Sequence, residues 1–269
     1  MKNWILAVRP KTLFASLAPV ILGLAVSYVE MQKIDLLVAA LTALCALFLQ
    51  IASNLANDYL DALRGVDNDT RLGPTRVTST GLISHTAMKN ALFLTLFMAF
   101  MLGIYLMVIG GPVIIVIGLV SLYFAYGYTG GPFPLSYNGL GEVAAFLFFG
   151  IIAVVGTNYL QTHTLSRLAF ILGMGPGFIS ACILAVNNLR DIVSDRETKK
   201  HTLAVRFGEK FQRKLCISTI FGSIVICLYV MIVYHYKLLA PVLLLPLLFH
   251  KTWLQILYHP IDAKLNLAL

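Results

Sequence analysis

The sequence predicts an all-α protein, a multi-pass transmembrane helical bundle, on three observations. Hydrophobic residues make up 59% of the 269 residues and charged residues only 12%, whereas soluble domains average about 45–50% apolar and about 25% charged. Several apolar runs reach the roughly 18–21 residues that cross a hydrocarbon core of about 30 Å as a helix. The runs also lack the polar and apolar alternation, in segments of about ten residues, that is typical of membrane β-barrels.

The first span is predicted at 12–29, directly after a short basic segment that contains Lys2, Trp4, Arg9 and Lys11. A cleaved signal peptide begins in a similar way. Because this run is long and the rest of the chain is also apolar, we expect a span that is retained.

Seven further spans are predicted, which makes eight in a single domain covering 1–269. They lie at 36–56, 91–109, 113–128, 141–157, 168–188, 215–234 and 238–257. The two long polar connections, 57–90 and 189–214, are expected to cap a functional site.

The basic residues predict the orientation of the bundle. Sixteen of the twenty Lys and Arg residues lie in four segments, and these are 1–11, 57–90, 189–214 and 258–269. By the positive-inside rule these segments and both termini face the cytoplasm. The net charge of +8 therefore reflects sidedness in a lipid bilayer, and we expect no nucleic-acid partner.

Cysteine and histidine give no sign of a soft-metal site. The four cysteines stand singly in or beside apolar runs without CxxC spacing, and the six histidines are scattered. We expect the cysteines to be small buried hydrophobic residues, and no zinc site.

Acidic residues collect where the second predicted span ends. The stretch 54–84 holds Asp58, Asp61, Asp67 and Asp69, together with Arg64, Arg71 and Arg76. Carboxylates beside a membrane helix cost free energy, about 2.5–3.5 kcal/mol each at its centre and less near the interface, so they indicate function. The alternative is a solvated loop whose acids balance its bases.

A second acidic cluster follows the sixth predicted span. Asn187, Asp191 and Asp195 are spaced four residues apart, as are Asn57 and Asp61 in the first cluster, and this spacing places each set on one helical face. Four spans separate the clusters, so both are expected at the same side of the membrane. In the first cluster Gly65 is predicted to end the helix and let the chain turn back. A chance likeness between two helix ends is the alternative to an internal repeat.

Two clusters of carboxylate and amide oxygens favour Mg²⁺ over softer metals. Because Mg²⁺ commonly completes its coordination with substrate phosphates, half a site on each helix indicates a phosphorylated ligand between them. Eight nearby cations are candidates to bind that phosphate, and they are Arg9, Arg64, Arg71, Arg76, Arg190, Arg196, Lys199 and Lys200.

An isoprenyl diphosphate fits this setting, because its charged head and apolar tail would each have a matching environment. Loss of metal-bound diphosphate leaves an allylic cation, which must meet an aromatic nucleophile rather than water. Aromatic rings can stabilise such a cation. Tyr59, Tyr126 and Tyr128 are candidates, although each also suits an interfacial aromatic belt.

The NDYLDALRGVD segment at 57–67 and the DIVSD segment at 191–195 together resemble the two aspartate-rich motifs of the UbiA superfamily of intramembrane aromatic prenyltransferases. Three further stretches look like the branch of that superfamily that prenylates 1,4-dihydroxy-2-naphthoate. They are the opening WILAVRPKTL, the YTGGPFPLSYNGLGE that begins at Tyr128, and the NNLRDIVSDRETKKHTLAVRFG that begins at Asn187. The likeness runs from Trp4 to Gly208.

The resemblance implies transfer of a polyprenyl chain from polyprenyl diphosphate to 1,4-dihydroxy-2-naphthoate, with Mg²⁺ as cofactor and loss of CO₂. The product would be demethylmenaquinone, a precursor in menaquinone biosynthesis, made at the bacterial inner membrane. The superfamily has nine spans, so its ninth span is expected to be absent from this chain.

The resemblance also implies roles for individual residues. Diphosphate would be held through metal by Asn57, Asp61, Asp67, Asp191 and Asp195. Catalytic carboxylates would be Asp58, as a base or an assisting group, together with Asp61 and Asp191. Direct diphosphate contacts would come from Arg9, Arg64, Arg76 and Lys199, and contacts with the aromatic substrate from Arg71, Tyr128 and Asn188.

Two alternatives remain open from the sequence. A 4-hydroxybenzoate prenyltransferase shares fold, metal and donor. Its first motif lacks the two extra residues that here separate Asp61 from Asp67, and it lacks the GPTR segment at 73–76. A cation-coupled transporter could also use intramembrane aspartates, although transporters place them near the midplane. A CDP-alcohol phosphotransferase is excluded because its DGxxAR signature is missing.

Overall fold

The computed structural model describes residues 2–65, 72–73, 76–244, 248–261 and 265, and over these residues the chain is helical with connecting loops. The helices are α1 (Lys2–Val8), α2 (Pro10–Met31), α3 (Leu36–Leu63), α4 (His85–Gly127), α5 (Gly141–Thr162), α6 (Arg167–Arg190), α7 (Ile192–Glu197), α8 (Leu203–Phe207), α9 (Glu209–Val233) and α10 (His250–Tyr258). Six of them, in the described part of the chain, are long and apolar enough to cross a membrane. The predicted all-α membrane bundle is therefore confirmed.

The break between α1 and α2 lies against α3. Arg9 adopts a left-handed conformation with φ 54°, and Pro10 follows it at the first position of α2. Proline suits this position because the N–H of the first helical residue has no partner within the helix. From α3, the Asn54 amide donates 2.8 Å hydrogen bonds to the Val8 carbonyl and the Thr12 hydroxyl. These bonds hold the turn one helical turn before the first acidic cluster.

The α4 helix is a hairpin of two arms. Its 43 residues would extend about 65 Å if straight, roughly twice the thickness of the hydrocarbon core. Gly111 has φ 63° and ψ −155°, and Pro112 follows it, so the helix folds back at this point. The predicted spans 91–109 and 113–128 are these two arms.

The packing of α4 defines the two ends of the bundle. Met88, near the start of the first arm, and Ala125, near the end of the second, both belong to a core cluster with Leu55 of α3. Leu106 and Ile114, on either side of the fold-back, pack with Val38 at the opposite end of α3. We call the end at which α3 and α6 terminate the acidic end, and the other the far end.

Glycines allow α5 and α6 to approach closely. The middle of α5 is a π-helical segment, Leu147–Ile152, and a Cβ on Gly150 would lie 2.5 Å from the Gly177 Cα and 2.6 Å from the Gly173 carbonyl oxygen of α6. Side chains at these positions would push the backbones apart, which is why small residues occupy membrane helix crossings.

The predicted eighth span, 238–257, is not one continuous α-helix, and this corrects the expectation. It begins as a 3-10 helix, Lys237–Leu244, and ends as α10. Pro241 lies within the 3-10 helix.

The two ends of this segment nevertheless lie at opposite ends of the bundle. Leu239 packs into a cluster with Val26 at the far end, whereas Ile256 packs with Cys216. Arg213 of α9 donates hydrogen bonds to the carbonyls of Ile256 and His259. The two described parts of the segment therefore pack at opposite ends of the bundle.

Candidate active site

The loop that joins α4 to α5 lies between the two acidic clusters, and its Tyr137 contacts the first cluster directly and the connection that follows the second. Its hydroxyl donates a 2.9 Å hydrogen bond to Asp61 Oδ1 of the first cluster. Its carbonyl accepts a 3.1 Å hydrogen bond from the backbone of His201, in the connection that follows the second cluster. The ring lies 4.5 Å from the Arg64 guanidinium carbon and 5.6 Å from the Lys200 Nζ, so it is placed between two cations.

Asp61 is a buried carboxylate with two partners. It is 3% exposed, and besides the Tyr137 hydroxyl it accepts a 2.9 Å hydrogen bond from Arg76 Nη2 at Oδ2. Arg76 is itself buried. The pair is therefore held out of water, where its electrostatic interaction is stronger than at a surface.

Asp58 holds the segment that carries Arg76. One carboxylate oxygen accepts a 2.9 Å hydrogen bond from the Thr78 backbone, and the other a 3.2 Å bond from the Val77 backbone. Since Asp58 is only 1% exposed, the geometry gives it a structural role. Its assignment as a catalytic carboxylate stays a prediction.

The end of α3 confirms the predicted turn at Gly65 and ties the first cluster to the α4–α5 loop. The helix ends at Leu63, and Gly65 follows with φ 64°. Arg64 Nη1 donates a 2.6 Å hydrogen bond to the Thr129 carbonyl, and the Thr129 hydroxyl donates to Asn57 Oδ1. Asn57 and Asp61 lie one turn apart in α3, as the spacing predicts.

The second cluster lies at the junction of α6 and α7. The α6 helix ends at Arg190, and Asp191 stands between the two helices with φ −92° and ψ 9°. The Asp191 N–H donates a 3.0 Å hydrogen bond to the Asn187 carbonyl, and the Asp195 N–H donates a 2.8 Å bond to the Asp191 carbonyl, so helical hydrogen bonding continues across the junction. Arg190 donates two hydrogen bonds of 2.6–2.7 Å to the Asp191 carboxylate. Asp195, in α7, lies 3.7 Å from the Lys200 Nζ.

Tyr128 is surrounded by carboxylates from both halves of the site. It directly follows α4, and its hydroxyl would lie 3.0 Å from a Cβ on Gly141. Burial of the hydroxyl, followed by the negative charges of Glu142, Asp61 and Asp195, raises the pKa of Tyr128 above its usual value. The two acidic clusters therefore lie near each other at the same end of the bundle.

Asn188 contacts a buried carboxylate that the sequence interpretation did not single out. Its Nδ2 donates a 2.9 Å hydrogen bond to Glu142 Oε1, at the start of α5. Gln212 of α9 donates a second bond of 2.8 Å to the same oxygen. Glu142 thereby joins three helices beside Tyr128.

Four predicted site residues remain, and the structure describes two of them, Arg9 and Lys199. Arg9 stands at the α1–α2 break beside α3, and Lys199 is exposed with φ 56°, whereas the neighbouring Lys200 reaches Asp195 and Tyr137. Asp67 and Arg71 lie outside the described residues.

The sequence did not single out Tyr137 and Glu142 as site residues. It gave Arg190 and Lys200 only as two of eight basic candidates for phosphate binding. Tyr137 and Glu142 lie in the YTGGPFPLSYNGLGE stretch, which was used only for the family likeness. The signal available was a polar, nearly uncharged loop with one tyrosine and one acid at the acidic end of the bundle.

The donor set of the site is composed of oxygen ligands, which suit a hard divalent cation. Among the described residues no group of three or more His, Cys, Asp or Glu is arranged to hold a metal, and Asp61, Asp191 and Asp195 are each paired with a cationic side chain. A metal–diphosphate complex would supply both the cations that the acids need and the anions that the bases need. The residue types therefore fit such a complex.

Comparison with known proteins is consistent with this geometry. Residues 16–266 match the UbiA prenyltransferase family. The chain is 39% identical over 228 residues to the 1,4-dihydroxy-2-naphthoate octaprenyltransferase of Escherichia coli (strain K12), which covers 82% of this chain and 74% of that protein. It is 37% identical over 213 residues to the protein of the same name from Mycobacterium leprae (strain TN), covering 79% and 72%.

A solved structure shares the fold. The UbiA homolog from Archaeoglobus fulgidus bound to DMAPP and Mg²⁺ superposes with a TM-score of 0.71 at 14% sequence identity, and the match covers 93% of this chain and 86% of that one. At this identity the match establishes the architecture of the bundle.

Proposed function

The chain belongs to the UbiA prenyltransferase family, and from that membership we propose that it prenylates 1,4-dihydroxy-2-naphthoate with a polyprenyl diphosphate. The C–O bond between prenyl carbon and diphosphate breaks, a C–C bond to the ring forms, and the ring carboxylate leaves as CO₂. The electron pair of the lost C–C bond remains with the ring, so the immediate product is the hydroquinone form of demethylmenaquinone. The names of the two bacterial relatives support the choice of acceptor.

The observation that carries the proposal is the meeting of both acidic clusters around Tyr137 and Tyr128. Asp61 binds Tyr137, and both Asp61 and Asp195 act on the Tyr128 hydroxyl. An amphiphilic diphosphate placed here would have its head among charged groups and its tail within the apolar bundle.

The charges of the described site favour a divalent cation. Five carboxylates belong to it, namely Asp58, Asp61, Asp191, Asp195 and Glu142. Four cations contact these acids or Tyr137, namely Arg64, Arg76, Arg190 and Lys200. The difference, four minus five, is −1, and a diphosphate would add about three negative charges. A bound divalent cation would offset this excess of negative charge.

We propose that this divalent cation is Mg²⁺. The oxygens of Asn57, Asp61, Asp67, Asp191 and Asp195 would hold it, and when bound it would supply Lewis-acid stabilisation of the departing diphosphate. Arg76, Arg190 and Lys200, which pair with the acids in this structure, would then be released to bind phosphate oxygens. The same side chains thus stabilise the site in both states.

The aromatic side of the site is formed by the loop that follows α4. Tyr128 and Tyr137 present rings beside the acids, and burial together with the charge of Asp61 keeps both hydroxyls protonated by raising their pKa values. Neutral phenols donate hydrogen bonds and do not compete with the acceptor as nucleophiles. The apolar helices around them exclude water from the allylic cation.

The protein spans the membrane several times. We place it in a bacterial inner membrane with the acidic end at the cytoplasmic face, because the basic segments gather at that end. In that position the site would open towards water-soluble naphthoate, while the prenyl tail of the donor would lie among apolar helices in the bilayer.

Product analysis tests the proposal. Membranes containing the protein would be incubated with Mg²⁺, a mixture of polyprenyl diphosphates and either 1,4-dihydroxy-2-naphthoate or 4-hydroxybenzoate, and the products identified by mass. We expect a decarboxylated prenylnaphthoquinone from the first acceptor, with membranes lacking the protein as control. Transfer to 4-hydroxybenzoate alone would overturn the choice of acceptor, and substrate uptake without transfer would favour a transporter.

A further inference from the structure

Glu142 is a buried carboxylate with hydrogen-bond donors at only one of its two oxygens among the described residues. It is 5% exposed, and one oxygen, Oε1, accepts both hydrogen bonds, from Asn188 and Gln212. The other oxygen, Oε2, is buried and has no hydrogen-bond partner among the described residues.

The helix-joining role does not explain why this residue is an acid. A glutamine would offer the same carbonyl oxygen to Asn188 and Gln212 without burying a charge. Withdrawing an unpartnered carboxylate oxygen from water is costly. The first turn of α5 offsets part of that cost, because the helix N-terminus favours negative charge, but Oε2 itself still lacks a donor.

A second acceptor without a donor lies beside it. Gln212 donates from its amide nitrogen to Glu142 and to the Ala185 carbonyl, while its own Oε1 is buried without a partner in the described part of the chain. Two neighbouring oxygens therefore need hydrogen-bond donors. A phosphate or carboxylate ligand offers acceptors only, whereas a hydroxyl offers the donor that is missing.

Glu142 stands beside the candidate active site. A Cβ on Gly141, the residue next to Glu142, would lie 3.0 Å from the Tyr128 hydroxyl, and the negative charges of Glu142, Asp61 and Asp195 all contribute to the raised pKa of that hydroxyl. Glu142 thus approaches Tyr128 from α5, while the two acidic clusters approach it from α3 and α7.

We propose that Glu142 positions the aromatic acceptor by accepting a hydrogen bond at Oε2 from a phenolic hydroxyl of that substrate. This assignment rests on the proposed function and deepens it by naming the residue that recognises the hydroxyl. A hydrogen bond from the phenol to an acid also raises the electron density of the ring, which makes its carbon a better nucleophile. Glu142 therefore selects hydroxylated aromatic acceptors.

The first test is Glu142→Gln, which keeps a carbonyl oxygen for Asn188 and Gln212 but replaces the Oε2 acceptor with an amide donor. The KM values for naphthoate and for polyprenyl diphosphate would be measured with the full chain in membranes, together with its thermal stability in detergent. We expect the naphthoate KM to rise about tenfold or more, as for loss of a hydrogen bond to a charged group. The donor KM should not change, and the thermal stability should equal or exceed that of the wild type, because the variant no longer buries a charge.

Glu30→Gln is the matched control. Glu30 also accepts a 2.9 Å hydrogen bond from an asparagine of another helix, Asn158, but at the far end of the bundle. We expect both KM values to stay at the wild-type level in this variant. A Glu142→Gln protein whose two KM values are both unchanged, or both raised alike, overturns the assignment, because an ordered water or a purely structural bond would give that result.

A second test uses the wild-type protein and does not depend on any variant folding. Inhibition by 1-hydroxy-2-naphthoate and 4-hydroxy-2-naphthoate, each lacking one hydroxyl, would be compared with the KM for the dihydroxy acid. At least one analogue should bind about tenfold more weakly, and equal binding of all three overturns the assignment. Wild-type protein that makes no prenylnaphthoquinone would instead refute the proposed function, so the two failures are distinguishable.

Discussion

Breaking the Arg76–Asp61 pair is expected to have a large effect on stability. The side chains are 6% and 4% exposed, and their charged atoms lie 2.9 Å apart. Arg76→Met keeps an apolar side chain of similar reach but leaves Asp61 buried with the Tyr137 hydroxyl as its remaining described partner. Removing one member of a buried ion pair typically costs about 3–5 kcal/mol.

A second substitution separates the pair from its individual charges. In the double variant Arg76→Met with Asp61→Asn both charges are gone, so the loss of unfolding free energy should be smaller than in Arg76→Met alone. Glu209→Gln is the control for an ion pair in a wetter setting, because the Glu209 side chain is 48% exposed. Its loss should be about 0.3–0.5 kcal/mol.

The assay is the free energy of unfolding in detergent without divalent cations, measured for all four proteins under identical conditions. The reasoning requires Arg76→Met to be several times more destabilising than Glu209→Gln. A loss below about 1 kcal/mol would mean that Asp61 is solvated, and the description of a dry acidic end would then be wrong.

Three further predictions concern the site and the bundle. Asp61→Ala or Asp191→Ala should abolish prenyl transfer while the protein still inserts, and transfer retained at matched expression and saturating Mg²⁺ would contradict metal–diphosphate catalysis. Gly150→Val should lower the thermal midpoint strongly, because its Cβ would lie 2.5 Å from Gly177 and force α5 away from α6; an unchanged midpoint would contradict that close approach. The raised pKa of Tyr128 predicts that the folded chain keeps a proton which the unfolded chain releases above a pH of about 10. Stability should therefore be complete below that pH and fall as the pH rises beyond it, and melts of Tyr128→Phe should show a shallower alkaline loss, whereas equal slopes would refute the shift.

The fold was predictable because apolar length and charge placement determine where a chain crosses a membrane. The fold-back of α4 could be located because two apolar runs met at the Gly-Gly-Pro sequence that ends in Pro112. The 3-10 start of the last span was not predicted, since hydropathy locates an apolar segment but does not distinguish an α-helix from a 3-10 helix. The irregular backbone at Asp191 was not predicted either, because four-residue spacing does not distinguish one helix from two helices in succession.

The candidate site was predictable where acids are spaced along one helix and less so where loops bring residues together. Asn57 and Asp61 follow from the end of α3, whereas Tyr137 lies 76 residues from Asp61 and in a loop without a charge before Glu142. Neither its reach to Asp61 nor its place between Arg64 and Lys200 follows from spacing. Such contacts depend on how the α4–α5 connection folds over the bundle.

The structure also separates acids that look equivalent in sequence. Asp58 and Asp61 are three residues apart and both buried, but Asp58 accepts backbone hydrogen bonds from Val77 and Thr78, whereas Asp61 accepts from side chains. The backbone bonds of Asp58 fix the residues next to Arg76, and Arg76 in turn pairs with Asp61. Asp58 is therefore connected to the metal-binding oxygens proposed here through the segment that it holds and the arginine at its start.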